Sequence, residues 1–149
     1  DKLAEVAAQS DKVHALPADV TDEKSVATLY EKAESARGPF DIVVANAGIA
    51  SSAPAHRTSL EEWNRIISVN LTGAFLTVRP ALKGMAERKA GRIIFIASVA
   101  GLRGSAYVAP YVASKHGVVG LTRALAAELL MTGVTVNAIC PAYVETDMA

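Results

Sequence analysis

The sequence contains very little cysteine: Cys140 is the single one in 149 residues. One cysteine cannot close a disulfide within the chain, so the secreted proteins that are built on a disulfide framework are excluded. A reducing compartment is the default for such a chain, and we expect a cytoplasmic location. Hydrophobic residues make up 51% of the sequence, a share that is too high for a disordered protein. A chain of 149 residues is also long enough to form one globular domain.

The sequence also lacks an excess of charge of one sign. Its 15 Lys and Arg residues balance 15 Asp and Glu residues, so no general field attracts phosphate backbones or anionic lipid. The longest apolar runs, at 93–97 and 125–131, fall well short of the roughly 20 residues that span a bilayer. We therefore expect neither nucleic acid nor a membrane as a partner.

Metal ligands are scarce as well. His14, His56 and His116 have no helical i, i+4 pairing and no cysteine companions. Zinc and related metals need three or four such ligands at characteristic spacing. No metal site is predicted.

Short apolar segments rich in β-branched residues alternate with longer helical patterns. The predicted strands are 14–16, 41–45, 92–97 and 134–139, and they are largely apolar on both faces, as strands of a covered parallel sheet are. The predicted helices are Asp22 to Ala36, Ser59 to about Lys83, and Pro110 to Met131, where Ser59 and Glu62 have capping-box spacing. This alternation predicts a single α/β domain with a doubly wound parallel sheet.

In sheets of this kind ligands bind beyond the carboxyl ends of the strands. The residues at those positions are small or polar, a composition that ordinary turns also favour. They are Asp19 and Val20 after the first predicted strand, Asn46, Ala47 and Gly48 after the second, Ser98 after the third, and Pro141 after the fourth.

A tyrosine and a lysine share one face at the start of the last predicted helix. Tyr111 and Lys115 are four residues apart, which makes them neighbours on the helix surface. A nearby cation and the positive end of a helix dipole both favour a phenolate, which suits proton exchange with an alcohol. A bare Tyr-x-x-x-Lys is more often a half-buried tyrosine beside a solvated lysine, so the motif alone does not decide.

Two further polar residues are candidates for the same chemistry. Ser98 follows a strand that ends at the same edge, where its hydroxyl can donate to a carbonyl oxygen as negative charge develops. Asn70 lies inside a predicted helix, although asparagine is a poor helix former. Such an asparagine either points to water, bonds the preceding turn, or holds a water at a local break in the helix.

Taken together, Asn46-Ala47-Gly48, Asn70, Ser98, Tyr111 and Lys115 resemble the short-chain dehydrogenase/reductase family, and the resemblance runs from Asp19 to Thr146. It implies a Rossmann-type oxidoreductase that moves hydride between NAD or NADP and a carbonyl or an alcohol. A homo-oligomer, either a dimer or a homotetramer, is also implied, with helices paired across a twofold axis.

The resemblance assigns roles residue by residue. Tyr111 is the general acid or base, Lys115 favours its phenolate and binds the nicotinamide ribose, and Ser98 polarises the substrate carbonyl. Asn70 anchors a water in a proton relay through Lys115. Asp19 and Val20 lie at the adenine, Asn46, Ala47 and Gly48 form the wall behind the cofactor, and Thr146, in the segment that starts at Pro141, bonds the carboxamide.

The family's glycine-rich TGxxxGxG turn does not occur in this sequence. We therefore expect residues 1–149 to be a partial Rossmann-type domain, without the N-terminal strand-helix unit that carries those glycines and without the C-terminal substrate loop. Helix N-terminal amides that cradle a pyrophosphate are then missing, so this stretch alone is not expected to bind a dinucleotide well.

The motifs Ser98-Val99-Ala100-Gly101 and Tyr111 to Lys115 look like those of 3-oxoacyl-thioester reductases and 3-hydroxyacyl-CoA dehydrogenases. Sugar, polyol and steroid members share them, so the substrate stays open. Two other functions also stay open: a nucleotide-binding scaffold or sensor without turnover, and an epimerase or dehydratase that holds NAD tightly.

Overall fold

The computed structural model describes residues 2–144. The helices are α1 (Lys2–Ala7), α2 (Glu23–Arg37), α3 (Leu60–Ile67), α4 (Gly73–Arg88) and α5 (Ala109–Glu128). The strands are β1 (Ile42–Ala45), β2 (Gly91–Ile96) and β3 (Val134–Ile139). Two 3-10 turns, Ala55–Arg57 and Val99–Gly101, and one π-helical segment, Ser68–Thr72, complete the regular structure.

The strands form one parallel sheet in the order β1-β2-β3. Ile42 lies opposite Arg92, and Ile93 lies opposite Val136, so the register is continuous across the sheet. Helices connect successive strands, because parallel neighbours need a crossover connection. The predicted α/β architecture with a parallel sheet is confirmed.

Helices α4 and α5 lie on the same face of this sheet. Both crossovers advance in one direction along the sheet, and right-handed crossovers then place their helices on one side. Helix α4 contacts β1 and β2, α5 contacts β3, and α2 packs on α4. The side chains that point toward these helices form the core, with Ile93 and Phe95 completely buried at its centre.

The opposite face of the sheet is open in the described residues. Ile42 is 57% exposed, Val44 49% and Ile139 51%. The expectation that the strands are covered on both faces is therefore wrong for these residues. Apolar residues on both faces of a strand show only that both faces can be buried. The order of the strands determines which face α4 and α5 cover, and here both cover the same one.

The segment 14–16, predicted as a strand, is irregular. A strand exists only through hydrogen bonds to a neighbour, and β1, β2 and β3 bond only to one another within residues 2–144. Three apolar residues give a local preference for extended backbone but supply no partner.

Helix starts agree with the capping patterns in the sequence. The Asp22 carboxylate accepts from the backbone N–H groups of Lys24 and Ser25 at the start of α2. The Ser59 hydroxyl accepts from the Glu62 N–H at 3.1 Å and starts α3. Helix α5 ends at Glu128, three residues before the predicted end at Met131.

The long helix predicted from Ser59 to Lys83 is interrupted. Helix α3 passes into the π segment Ser68–Thr72 before α4 continues to Arg88. A π turn accommodates one extra residue, and it falls where asparagine disfavours regular helix. Helical periodicity continues on both sides, which is why the pattern reads as one element.

Tyr30 joins α2 to α4 inside the core. Its hydroxyl donates to the Thr77 carbonyl at 2.6 Å, and its ring meets Phe40 edge to face with 5.0 Å between centroids. Burial raises the pKa of Tyr30 to about 12, and Glu34 adds to the shift. The phenol therefore stays protonated and keeps its hydrogen bond.

We expect Tyr30→Phe to lower the free energy of unfolding by about 1 kcal/mol, because the variant removes one buried hydrogen bond and keeps the ring. Urea denaturation measures this change. Tyr107→Phe is the matched control, since Tyr107 is 64% exposed and should change the value by less than about 0.5 kcal/mol. Equal effects of the two variants would contradict the role given to Tyr30.

Candidate active site

The carboxyl ends of the three strands meet at one edge of the sheet. Hydrogen bonds between the second and third strands continue past their regular ends: Ala97 N donates to the Ile139 carbonyl at 2.8 Å, and Val99 N donates to the Pro141 carbonyl at 2.9 Å. Pro141 consequently lies beside the segment that carries Ser98. Cys140, between Ile139 and Pro141, is partly buried.

Asn70 lies in the π segment and is 1% exposed. Its Oδ1 accepts from the Ile49 N–H at 2.8 Å, and its Nδ2 donates to the Ile49 carbonyl at 2.9 Å. The amide therefore satisfies both backbone groups of one residue in the loop after β1. These two hydrogen bonds replace the hydrogen bonds to a neighbouring strand that the backbone no longer makes after β1 ends.

Lys115 is 5% exposed, and its Nζ donates to the Ile96 carbonyl at the end of β2, at 2.8 Å. Burial lowers the pKa of Lys115 below its ordinary value of 10.5, and the neighbouring Cys140 opposes the shift. Nζ lies 5.7 Å from the centroid of the Tyr111 ring, one turn earlier on α5. The i, i+4 pair predicted from the sequence is thus a buried amine beside a half-buried phenol.

Gly48 lies between the two polar groups. A Cβ on Gly48 would be 3.5 Å from Asn70 Oδ1 and 3.6 Å from Lys115 Nζ. Both distances are ordinary van der Waals separations for that added atom, so the β1 loop passes close to the amide and the amine. Asn70, Lys115 and Gly48, which are far apart in sequence, are in one place.

Ser98 follows β2 and is 8% exposed. Its Oγ accepts from the Ala100 N–H at 3.1 Å and caps the 3-10 turn Val99–Gly101. That bond uses a lone pair of the oxygen and leaves the hydroxyl proton available to an acceptor. The turn packs against α5, where a Cβ on Gly101 would come within 2.7 Å of the Lys115 carbonyl oxygen.

Tyr111 lies in the first turn of α5, which has Val108 as N-cap and Pro110 inside its first turn. The positive end of the helix dipole is therefore adjacent to the phenol. The Tyr111 carbonyl accepts from the Ser114 hydroxyl at 2.7 Å.

The residues predicted to bind the adenine follow the irregular segment 14–16 and precede α2, so they do not lie at a strand end. Asp19 is exposed, and its carboxylate accepts from the hydroxyl of Thr21 at 2.7 Å and from its N–H at 2.8 Å. These hydrogen bonds lower the pKa of Asp19. Val20 packs at the start of α4, since a Cβ on Gly73 would be 2.9 Å from Val20 Cγ2.

Asn46 and Ala47 are exposed at the end of β1, whereas Gly48 is half-buried. They lie on the same loop as Ile49, which Asn70 holds. Thr146 lies outside the described residues.

Within residues 2–144, no three His, Cys, Asp or Glu side chains are grouped as metal ligands would be. None of the helices in the same residues has the length and apolar character that a membrane span needs.

Sequence reasoning missed two residues that organise this edge. Ser114 accepts from Asn70 Nδ2 at 3.1 Å, and Gly101 allows the Ser98 turn to approach α5. Both lie within the quoted motifs. A hydroxyl in an otherwise apolar helical stretch was the available signal for Ser114, whereas the Gly101 contact depends on tertiary packing.

The chain matches the family model described as short chain dehydrogenase over residues 1–149. It belongs to this family. It is 49% identical over 132 residues to "Inactive 2-(S)-hydroxypropyl-CoM dehydrogenase 2" of Xanthobacter autotrophicus, which covers 88% of this chain and 57% of the relative.

Two other relatives are named as reductases. Identity is 42% over 130 residues to the acetoacetyl-CoA reductase of Shinella zoogloeoides, covering 87% of this chain and 54% of the relative. It is 42% over 130 residues to the 3-oxoacyl-acyl-carrier-protein reductase MabA of Mycobacterium tuberculosis, covering 87% and 53%. The chain spans about half the length of these curated relatives.

Gly101→Ala should lower the free energy of unfolding by about 1–3 kcal/mol, because the new methyl group meets backbone rather than a flexible side chain. Gly104→Ala is the matched control, since a Cβ there has nothing within 4 Å. Chemical denaturation of both variants measures the difference. A neutral Gly101→Ala would show that the Ser98 turn moves freely against α5.

The lowered pKa of Lys115 makes stability depend on pH. The unfolded chain holds this proton up to about pH 10.5, whereas the folded protein releases it earlier, so the free energy of unfolding rises with pH between the lowered pKa and 10.5. Lys115→Met should lack this rise. Denaturation at a series of pH values measures it, with Lys83→Met, whose side chain is 88% exposed, as the control.

Should the Lys115→Met curve run parallel to that of the parent across this window, burial of the ammonium would not be the cause of the shift.

Proposed function

We propose that this chain is the catalytic part of an NAD(P)-dependent oxidoreductase that interconverts a carbonyl and a secondary alcohol. The observation that carries the proposal is the buried Lys115 amine, 5.7 Å from the centroid of the Tyr111 ring and close to Gly48 of the β1 loop, at the carboxyl edge of a parallel sheet, where ligands bind. Membership of the short chain dehydrogenase family supports it.

Tyr111 transfers the proton in this proposal. Its phenol is half-buried in the first turn of α5, where the helix dipole and the Lys115 amine both stabilise negative charge on the oxygen. In the reducing direction the phenol gives its proton to the developing alkoxide. In the oxidising direction the phenolate accepts the proton of the alcohol.

Ser98 polarises the substrate carbonyl. Its oxygen already accepts from Ala100 N, so its proton is the part that a carbonyl oxygen can use. The turn that Ser98 caps is in contact with α5, which keeps the hydroxyl and the phenol at one edge. A donor placed before the reaction starts stabilises the charge that develops on that oxygen.

The residues present fit the nicotinamide end of the cofactor. NAD or NADP supplies or accepts the hydride. Gly48 has no side chain to fill the space beside Lys115, which supports a flat ring there, and in this proposal the Lys115 amine binds the ribose hydroxyls. Asn46 and Ala47 continue this wall, and Asp19 and Val20 would meet the adenine.

The substrate we propose is a 3-oxoacyl or 3-hydroxyacyl thioester. Two relatives at 42% identity carry names of this kind, acetoacetyl-CoA reductase and 3-oxoacyl-acyl-carrier-protein reductase. We further propose a cytoplasmic homo-oligomer. Leu60 at the start of α3 is 72% exposed and Trp63 is 38% exposed, so this helix offers apolar surface to a second copy.

We also propose that residues 1–149 are part of a longer Rossmann-type domain. The open sheet face at Ile42, Val44 and Ile139 supports this, because parallel sheets are covered on both faces. A glycine-rich strand-helix unit elsewhere in the protein would supply both that cover and the pyrophosphate site.

A second candidate function is nucleotide binding without turnover. The 49% identical relative is named "Inactive 2-(S)-hydroxypropyl-CoM dehydrogenase 2", and its identity to this chain is higher than the 42% of the two named reductases. The two functions differ in one measurement: a scaffold or sensor would bind NADH or NADPH and leave acetoacetyl-CoA unreduced.

The decisive variant is Tyr111→Phe in the full-length protein, assayed with acetoacetyl-CoA and with NADH and NADPH in turn. Loss of the proton donor should lower kcat by at least about 100-fold, because general acid catalysis contributes that much. Tyr107→Phe, four residues earlier and exposed, should leave kcat unchanged. Unchanged turnover in Tyr111→Phe would overturn the mechanism, and an inactive parent that still binds the cofactor would favour the second function.

A further inference from the structure

The Ser114 hydroxyl lies between Asn70 and the first turn of α5. It is completely buried, accepts from Asn70 Nδ2 at 3.1 Å, and donates to the Tyr111 carbonyl at 2.7 Å. We propose that Ser114 is a positioning residue, which fixes the orientation of the Asn70 amide and thereby holds the β1 loop against the helix that carries Tyr111 and Lys115.

The direction of each hydrogen bond follows from the groups themselves. A carbonyl oxygen only accepts, so the single proton of the Ser114 hydroxyl goes to Tyr111. The hydroxyl oxygen then has lone pairs alone to offer Asn70. The amide must therefore turn its NH2 group toward Ser114 and its oxygen toward the Ile49 N–H.

This orientation is the one that the loop requires. The Ile49 N–H needs an acceptor and the Ile49 carbonyl needs a donor, and Asn70 supplies both at 2.8 and 2.9 Å. The reverse orientation would set the amide NH2 against the Ile49 N–H. Ser114 favours the correct orientation because it accepts from the second N–H of the same NH2 group.

The surrounding packing keeps these groups at hydrogen-bonding distance. One turn along α5, a Cβ on Gly117 would come within 2.7 Å of Leu71 Cδ2, so the helix and the π segment touch directly. On the other side, a Cβ on Gly48 would be 3.5 Å from Asn70 Oδ1 and 3.6 Å from Lys115 Nζ, so the β1 loop passes close to both groups. A wrong orientation of the Asn70 amide would therefore displace the β1 loop that lies beside Lys115.

Ser114 acts through Asn70, so its effect must disappear when Asn70 is removed. The test is a cycle of Ser114→Ala, Asn70→Ala and the double variant in the full-length protein, read by hydrogen exchange of the Ile49 amide and by kcat. Thr122→Val is the matched control, because Thr122 Oγ1 is also buried on α5 and donates to the carbonyl of Val118, one turn back.

Ser114→Ala should raise the Ile49 exchange rate and lower kcat by about tenfold each, with KM changed by less than about twofold, since one hydrogen bond to a buried amide is lost. In the Asn70→Ala background the same substitution should change both by less than about twofold. Thr122→Val should leave Ile49 exchange unchanged. If Ser114→Ala does not fold, Ser114→Cys, whose thiol bonds weakly, takes its place.

Equal effects of Ser114→Ala with and without Asn70, or no effect on Ile49 exchange, would overturn the proposal. The expected effect of Ser114→Ala on kcat rests on the proposed function, whereas the effect on hydrogen exchange of the Ile49 amide does not. An inactive parent would therefore refute the proposed reaction, while the Ile49 amide would still decide whether Ser114 positions Asn70.

Discussion

The amine of Lys115 is buried where the sheet meets α5, and its hydrogen bond to the Ile96 carbonyl connects the two. A buried charge is costly unless protein groups replace its water, so the end of β2 and the first turns of α5 must stay together. That requirement fixes Tyr111, because it lies one turn from Lys115 on the same helix. It also fixes Ser98, whose turn follows β2 and packs against α5.

The loop after β1 is held near Lys115 by a different interaction, the hydrogen bonds of the Asn70 amide. Its backbone has left the strand ladder at Ala45, and the Asn70 amide replaces the lost hydrogen bonds. Regular helix would carry Asn70 around the helix axis by a different angle, since one residue fewer would fit in the turn. The π segment therefore sets the direction of the amide, while Ser114 sets which end of it faces the loop.

Local signals in the sequence predict much of this arrangement. Asp22 and Ser59 mark helix starts through their own side chains, and residues at the ends of parallel strands share an edge in any such sheet, which is why Ser98 and Gly48 were identifiable. Non-local features were not. The segment 14–16 needs a neighbouring strand, the open face depends on strand order, and the Gly101 contact depends on how two elements approach. Asn70 left three possibilities open, of which a local break in its helix was one.

Because α4 and α5 lie on the same side of the sheet, the other side is exposed when residues 2–144 are produced alone. The outer edges of β1 and β3 have no strand beside them in residues 2–144, and the face between them carries Ile42, Val44 and Ile139. Unpaired strand edges beside exposed apolar side chains template the addition of further strands from other molecules. Produced alone, residues 2–144 would self-associate through intermolecular β-pairing unless another part of the protein or a chaperone shielded that surface.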